Sequence, residues 1–448
     1  MFSPERSGLD QQAGWGCADE FMPAVFGGAK PYAIVLCRAV TGLATVRALH
    51  RAGVRVLALV FSERDLTRYT RCADVVVVPE AAHGGRALVD WLAERAAGLM
   101  QDGGAPVVIP TSDEHALLLA EYAEQLSACC RVWTTGYHEL TRIVSKDGLY
   151  AIAEQLGVPT VPSITEPTLD ELRDWSATHP APYFLKPFYV GVAGSRMRQK
   201  NLVLATREEL LDYVERHGAH ALIVQRLLRG GDGYVFDCYG VCDAQGRVVQ
   251  MATHRRWRQF RPDCGATSFG EIPSGLPDAQ DRVLIEQTRQ LLGGMRYHGI
   301  FGIEWLLERD TGRFYVIDFN ARPFMSLGHL TDCGLNLPAL TYAELIGQLP
   351  EHLPLVPALR HLWWVDLLRD LQTLRELQPS GRLTWGAWLR SVLRCRSAAY
   401  LDWRDPVPGF LRTMRTVGQL LGFVWKKLRR LDSAAALSAP SSVRSKSF

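Results

Sequence analysis

Residues 301–323, FGIEWLLERDTGRFYVIDFNARP, contain two apolar, β-prone runs on either side of a turn at 310–312. This pattern predicts a β-hairpin in which Glu304 lies roughly opposite Asp318. Because side chains alternate along a strand, one face of the second strand carries Asp318, Asn320 and Arg322. An ordinary hairpin with one polar face gives the same pattern, so the upstream segments must distinguish the two interpretations.

The polar face of this hairpin has the chemistry of a metal and phosphate site. Oxygen ligands from two carboxylates and an amide suit Mg²⁺, which takes its remaining oxygens from water and phosphates. The candidate ligands are Glu304, Asp318 and Asn320. Arg322 follows on the same face, where a guanidinium can hold a phosphoryl group.

Two upstream segments add positive charge and a pliable loop. Lys146 begins a predicted helix in IVSKDGLYAIAEQLGVPTVPS, and Lys186 ends an apolar strand in YFLKPFYVGVAGSRM. Gly191 and Gly194 in the second segment allow backbone amides to cover phosphates. Taken singly, each lysine would be a surface residue and the loop a β-turn.

A third segment, ALIVQRLLRGGDGYVFDCYG, offers groups that can bind a nucleoside. Residues from Gln225 to Leu228 can bond a purine edge, and Asp232 can reach a ribose hydroxyl. Alone, Asp232 is an ordinary turn residue. The three segments and the hairpin, in this order, favour a nucleotide site.

Short apolar runs alternate with helical patterns between residues 32 and 134, which predicts a parallel α/β sheet of Rossmann type whose last strand is 131–134. The first turn, CRAVTGLATVRALHRAG, lacks a GxGxxG fingerprint, although Glu63 stands where a ribose-binding acid would follow the second strand. An NAD-dependent enzyme is therefore an open alternative. Ser112 and Asp113 fit a helix N-cap. Because they also follow the carboxyl end of a predicted strand, contact with a substrate is an alternative role for them.

The composition excludes several classes of protein. The chain has 448 residues, 47% of them apolar and 22% charged, which is ordinary for a globular protein of roughly two to four domains. A formal charge of +3 is too small to indicate nucleic-acid binding. The ten cysteines form no CxxC pair, so Cys238 and Cys242 are predicted to be buried thiols rather than zinc ligands. With no signal-peptide core and no apolar run of about eighteen residues, we expect a cytoplasmic protein.

Residues 351–432 are rich in Trp, Leu and Arg at helical spacing, as in HLWWVDLLRDLQTLREL at 361–377 and GFLRTMRTVGQLLGFVWKKLRRL at 409–431. We predict a helical appendage. Its last segment has basic residues but no acidic residue between Phe410 and Arg430, a pattern that also fits contact with an anionic membrane. Docking on the main body, with a solvated basic face, is the commoner arrangement.

The order of helix-start lysine, strand lysine, glycine loop and Glu…Asp-x-Asn-x-Arg hairpin resembles the ATP-grasp superfamily of carbamoyl phosphate synthetase and D-alanine ligase. Within it, the chain most resembles the predicted ATP-grasp carboxylate-amine ligases with a Rossmann-like N-terminal domain. The likeness covers about residues 31–350, and the Asp402-Trp-Arg-Asp-Pro element near the end also looks like that group.

The resemblance implies an α/β and α+β multidomain fold, with a Rossmann-like parallel N-terminal domain, an ATP-grasp fold and a C-terminal helical extension. The expected divisions are a disordered leader at 1–30, the Rossmann-like domain at 31–140, a small (lid) subdomain at 141–222, a C-terminal ATP-grasp subdomain with the metal site at 223–350, the helical appendage at 351–432 and a disordered tail at 433–448.

By position, the resemblance implies that Lys146 and Lys186 contact the phosphates of ATP. A loop containing Gly191, Gly194 and Ser195 would fold over them.

For the rest of the site, the resemblance implies that Gln225 and Leu228 line the adenine pocket and that Asp232 contacts the ribose. Arg256 and Arg258 would face the acceptor and the γ-phosphate, unless they belong to a solvated basic strand. The hairpin would bind Mg²⁺, with Mn²⁺ as an alternative ion, through Glu304, Asp318 and Asn320. Arg322 would clamp the phosphoryl group.

The chain departs from this family pattern at several positions. Arg226 stands where relatives often have Glu, and Asp318 is one methylene shorter than the Glu that is usual there. Arg256 stands where Lys is common, and the loop after Lys186 has only two glycines. Asp318 keeps the charge, so we expect metal binding to survive. Arg226 puts the details of base recognition in question.

The implied reaction joins a small-molecule carboxylate to an amine through an acylphosphate, with release of ADP and phosphate. No nucleic acid is expected as a partner, and a homodimer is compatible with the sequence. The alternative is a catalytically silent ATP-binding protein of the same fold, regulatory or membrane-associated, which Arg226 and the basic C-terminal segment suggest.

Overall fold

The protein is described by a computed structural model that covers residues 30–100, 104–133, 135–187 and 202–418. Its first sheet is parallel, in the order β3-β2-β1-β4, and consists of β1 (Ala33–Cys37), β2 (Val56–Val60), β3 (Asp74–Val77) and β4 (Val107–Pro110). The helices of this region are α1 (Ala39–Arg51), α2 (Gly85–Leu99), α3 (Asp113–Glu121), α4 (Ala123–Leu126) and α5 (Tyr137–Val144). The predicted parallel sheet at the N-terminal end is therefore present.

The predicted strand at 131–134 is not confirmed by the described residues. Only Arg131 forms a bridge, with Val107, and Thr134 lies outside the described residues. The chain leaves the sheet edge here because Trp133 packs over Gly299, where a Cβ atom would lie about 2.8 Å from the indole. Thr135 then bonds the carbonyl of His298.

A second, antiparallel sheet has the order β5-β8-β6-β7. Its strands are β5 (Ser163–Thr165), β6 (Tyr183–Pro187), β7 (Leu202–Leu204) and β8 (Leu222–Arg226). The helix α6 (Lys146–Gln155) precedes it, and the sheet packs with α7 (Leu169–Thr178) and α8 (Arg207–His217) around a small core that includes Leu172, Leu185 and Leu210.

The third sheet has seven strands in the order β13-β12-β9-β10-β11-β14-β15. Its strands are β9 (Val235–Cys242), β10 (Val248–Phe260), β11 (Ala266–Ile272), β12 (Gly299–Leu307), β13 (Phe314–Asn320), β14 (Leu362–Val365) and β15 (Ser397–Ala398). One face packs on α9 (Asp278–Met295) through residues such as Phe236, Ile303 and Leu291. Cys238 and Cys242 are buried free thiols, as predicted.

The opposite face of the third sheet meets the first sheet. A single apolar cluster includes Val46 of α1, Tyr239 of β9, Leu330 of α10 (Leu327–Cys333) and Leu340 of α11 (Leu337–Leu345). Since Tyr239 lies two residues from Asp237 on the same strand, both project from this face. The first sheet thus lies against the face that carries the predicted site.

The predicted helical appendage is helical only in part. It contains α12 (Leu367–Leu377), α13 (Trp385–Leu393) and a helix from residue 406 to at least 418, but it also contributes β14 and β15 to the third sheet. The helical interpretation of 361–377 was wrong at its start, because the aromatic run Leu362–Val365 pairs with the edge of β11 and buries Trp364. Among the described residues, no helix combines the length and the apolar character required to cross a membrane.

Candidate active site

Four titratable side chains form a row across four adjacent strands of the third sheet. The register pairs Glu304 with Asp318 on one side, as the sequence predicts, and with Asp237 on the other. Asp237 in turn pairs with His254 on β10. Paired residues on neighbouring strands share a face, so three carboxylates project toward the same space.

Arg256 neutralises two members of this carboxylate row. Its Nε atom donates to Asp237 at 2.9 Å, and its Nη2 atom lies 2.7 Å from Glu304. Burial by itself raises the pKa of Asp237, but Arg256 and His254 outweigh burial and hold that pKa below its usual value. Asp237 is fully buried, and our sequence analysis missed it.

The third carboxylate is held by lysines from two other elements. Lys146, at the start of α6, donates from Nζ to Asp318 at 2.9 Å. Burial favours a higher pKa for Asp318, yet Lys146 and then Lys186 lower it below its usual value. For Lys146 itself, burial lowers the pKa, but the Asp318 carboxylate more than compensates and raises it.

Tyr150 connects the second lysine to this region, and it too was missed by our sequence analysis. Lys186 is buried and donates to the Tyr150 hydroxyl at 2.9 Å, and Gln225 donates to the same hydroxyl at 3.3 Å. The hydroxyl also donates to the carbonyl of Ile317, one residue before Asp318. Helix α6 thus carries two polar groups, Lys146 and Tyr150, that meet β13.

The residues predicted to line an adenine pocket lie beside this network. Leu228 is buried in a small apolar cluster with Val161 and Tyr315. Arg226, the departure from the family pattern, lies 2.7 Å from Glu308, a buried carboxylate on the far end of the hairpin. Its charge is therefore balanced within the protein.

Asn320 and Arg322 extend the site from the end of β13. Asn320 donates from Nδ2 to Glu304 at 3.2 Å. Arg322 donates to Asp113 at 3.0 Å, which joins the hairpin to the start of α3 beside the first sheet. Ser112 caps α3, as predicted. Two buried polar atoms here, Asp113 Oδ1 and Arg322 Nε, have no hydrogen-bond partner among the described residues.

The donor atoms of the hairpin fit a hard divalent cation. Burial raises the pKa of Glu304, Arg256 opposes this effect, and the nearby Asp318 and Asp237 reinforce it. A divalent cation would relieve the repulsion between these carboxylates. Within the described ranges, no group of three or more His, Cys, Asp and Glu residues forms a metal site, so the fit depends on two carboxylates plus the Asn320 amide oxygen.

The structure places Arg258 and Asp232 away from this network. Two β-bulges flank Arg258 and interrupt the alternation that would set it beside Arg256. Its guanidinium instead forms two hydrogen bonds, 2.8 and 2.7 Å long, with the carboxylate of Asp370 in α12. The predicted contact of Arg258 with the acceptor is therefore not supported.

Asp232 lines a different space, a cavity of about 330 Å³ between the third sheet and the C-terminal helices. Its neighbours there include Trp257, Trp363 and Arg382. Burial raises the pKa of Asp232 to about 6. No described contact joins it to the carboxylate row, so the ribose role is not supported by its position. Gly191, Gly194 and Ser195 lie outside the described residues.

Comparison with known proteins identifies the domain that contains this network. Residues 146–330 match the family described as carbamoyl-phosphate synthase L chain, ATP binding domain. This segment is an ATP-grasp domain. A curated relative, the carbamoyl phosphate synthase large chain of Thermomicrobium roseum, is 24% identical over 291 residues, which are 62% of this chain and 25% of the relative. The chain spans about a quarter of that relative's length.

Solved structures with the same ATP-grasp fold cover most of the chain. N5-carboxyaminoimidazole synthetase from Staphylococcus aureus with ADP has a TM-score of 0.58 at 13% identity, over 80% of this chain and 87% of that one. The biotin carboxylase domain of Hydrogenobacter thermophilus 2-oxoglutarate carboxylase, in complex with MgADP and bicarbonate, has a TM-score of 0.57 at 17% identity. The match covers 75% of this chain and 74% of that one. An L-amino acid ligase from Bacillus licheniformis has a TM-score of 0.52 at 15% identity, over 71% of this chain and 75% of that one.

Proposed function

We propose that the protein is an ATP-grasp ligase that joins a carboxylate to an amine and releases ADP and phosphate. The observation that carries this proposal is the meeting of Lys146, Arg256 and the carboxylate row inside a domain that matches an ATP-binding family. The curated relative and the three solved structures are named as synthases, carboxylases or ligases, which is consistent with the proposal.

In the proposed reaction, a substrate carboxylate oxygen attacks the γ-phosphorus of ATP, and the bond to the β-γ bridging oxygen breaks. The products of this step are an acylphosphate and ADP. An amine then attacks the acyl carbon, and inorganic phosphate leaves with the carbon-oxygen bonding pair. This transfer depends on positioning and charge neutralisation, which lysine and arginine side chains supply.

The proposed role of each basic side chain follows from where that side chain lies. Lys186 and Lys146 enter from β6 and α6 and would neutralise the phosphates of ATP. Arg322, which lies against Asp113 between the hairpin and the first sheet, would hold the transferred phosphoryl group. Arg256 is held by Asp237 and Glu304, so its guanidinium is fixed where negative charge accumulates.

Glu304, Asp318 and Asn320 would hold Mg²⁺, which when bound supplies positive charge to the phosphate oxygens. Two of these proposed ligands also contact basic side chains, since Lys146 lies 2.9 Å from Asp318 and Arg256 lies 2.7 Å from Glu304. The neutralisation of Arg226 by Glu308 also removes one reason to regard the site as catalytically silent.

The test is ADP release from ATP and Mg²⁺ over a panel of carboxylates and amines, with product masses measured. We expect one pair to yield ADP and an amide, and Asp318→Asn to lower the rate at least about a hundredfold because a metal ligand and the Lys146 partner are both altered. Asp310→Asn, in the exposed turn of the same hairpin, is the matched control and should retain activity. Equal rates for both variants would contradict the proposed site.

A further inference from the structure

The cavity that Asp232 lines is separate from the proposed ATP site. Arg256 of β10 pairs with Gly270 of β11, so both positions lie on the face that carries the carboxylate row. Phe269, the preceding residue on β11, projects from the other face, where it lines the cavity together with Trp363. The volume of about 330 Å³ lies within the range of roughly 300 to 1,000 Å³ that small-molecule pockets have.

Aromatic rings form the wall of this cavity. The ring centres of Trp257 and Trp363 are 6.2 Å apart, and Phe269 stacks on Trp363 with 5.2 Å between ring centres. The indole nitrogen of Trp257 already donates to Glu271 at 2.8 Å, so this side chain offers a ring surface rather than a free donor. Such a wall suits a flat apolar body, and the faces of indole rings also attract cations.

The Asp232 carboxylate lacks a hydrogen bond on one of its two oxygens. The side chain is 10% exposed, and its Oδ1 atom accepts from Gln259 Nε2 and from the amide of Asp263, both at 3.2 Å. Its Oδ2 atom is buried without a hydrogen-bond partner among the described residues, and Arg382 Nη2, 3.7 Å away, is too far to donate. With a pKa of about 6, most of this carboxylate is charged at neutral pH. A ligand that donates to Oδ2 would therefore relieve an unfavourable burial.

The arginines that line the cavity do not balance this negative charge. Arg258 donates two hydrogen bonds to the carboxylate of Asp370, at 2.8 and 2.7 Å. Arg382 donates to both oxygens of Asp263 at 2.7 Å. Arg394 also lines the cavity but is exposed, so water and salt screen its charge. The cavity therefore favours a cation over an anion.

We propose that this cavity binds a small aromatic amine, with its ring against Trp257 and Trp363 and its ammonium group donating to Asp232. An aromatic carboxylate is a poorer ligand, because its charge would meet the Asp232 carboxylate while Arg258 and Arg382 are already paired. The proposal concerns a second site on the other face of the third sheet, and it is independent of the ligase activity.

The experiment is calorimetric titration of the full chain with tryptamine, tyramine and phenethylamine at neutral pH, and with indole-3-propionate as an anion of similar size. We expect at least one amine to bind with a dissociation constant below about 1 mM, and indole-3-propionate to bind at least about tenfold more weakly. Asp232→Asn should weaken amine binding at least about tenfold, and Trp363→Leu about five- to tenfold. Saturating Mg-ATP should not displace the amine.

The matched control is Asp366→Asn, which neutralises a buried carboxylate at the start of α12 that is not part of the cavity wall. Asn caps a helix as Asp does, so this variant should bind the amine as the wild type does. Because Asp232→Asn removes a buried charge, it should melt no lower than the wild type, and its loss of binding cannot then be ascribed to unfolding.

Three outcomes would overturn the proposal. They are no binding of any of the three amines, equal amine affinity in the wild type and Asp232→Asn, and binding of indole-3-propionate as tight as that of the amines. Displacement of the amine by Mg-ATP would also overturn it, since the amine would then occupy the proposed ATP site.

Discussion

Replacing Asp237 by Asn is expected to destabilise the protein although the side chain keeps its shape. Asp237 is fully buried and accepts hydrogen bonds from His254 at 2.7 Å and from Arg256 at 2.9 Å. Breaking a buried ion pair costs about 3 to 5 kcal/mol, because the remaining charge is left without its partner. Glu304 still pairs with Arg256, so we expect the lower end of that range, about 3 kcal/mol. Urea unfolding followed by tryptophan fluorescence measures the change.

The control for this substitution is Asp405→Asn, which removes a comparably buried carboxylate that pairs with Arg47. Both variants should lose stability, but only Asp237→Asn should also weaken ATP binding, because only that variant removes an anionic partner of Arg256 in the proposed ATP site. The double variant Asp237→Asn with Arg256→Met should lose at least about 1 kcal/mol less than the sum of its single variants. A loss below about 1 kcal/mol for Asp237→Asn, or strictly additive effects, would refute this reasoning.

Two further substitutions test the structure at other positions. The Asp232 carboxyl loses its proton at about pH 6 in the folded state but near 3.8 when unfolded, so the folded state binds more protons between these values and stability falls as pH rises. Asp232→Asn should therefore raise the free energy of unfolding by about 2 to 3 kcal/mol at pH 8 and leave it unchanged at pH 3. The same change in the free energy of unfolding at both pH values would be contrary to this account. Gly270→Ala should lower the free energy of unfolding, measured by thermal melts, by about 1 to 3 kcal/mol, because its Cβ would lie 2.3 Å from Nε2 of His254. The control Gly386→Ala places its Cβ where nothing lies within 4 Å, so it should not destabilise the protein. Equal losses of stability in the two variants would be inconsistent with the packing.

The hairpin could be predicted from sequence because its determinants are local. A turn with Gly312 separates two β-prone runs, and strand alternation then sets Glu304 against Asp318. The order of motifs in the family indicated Lys146 and Lys186, which contact Asp318 and Tyr150 in the structure, whereas their predicted contact with ATP phosphates stays a prediction.

Other residues of the network could not be predicted, since they depend on pairing between distant strands. Asp237 lies in the apolar strand VFDCYGVC, and only its pairing with β10 and β12 brings it to Arg256 and Glu304. A lone carboxylate inside an apolar strand was the available signal. The displacement of Arg258 depends on β-bulges that local alternation does not reveal.

The C-terminal region shows the same limit. Helical spacing and a buried edge strand both allow a run of Leu and Trp, and the decision between them depends on whether a sheet edge is available. Here β11 offers one, so Leu362–Val365 joins the sheet and the helix begins at Leu367.

The most direct test of the proposed ATP site is calorimetric titration of the protein with ATP in the presence of Mg²⁺, comparing wild type with Lys186→Met and Lys30→Met. Lys186 is buried against Tyr150, whereas Lys30 bonds the carbonyl of Gly53 at the first sheet. Loss of a charged hydrogen bond costs about 1.5 to 3 kcal/mol, so Lys186→Met should weaken ATP binding about ten- to a hundredfold while Lys30→Met leaves it unchanged. Equal ATP affinity in all three proteins would contradict the account.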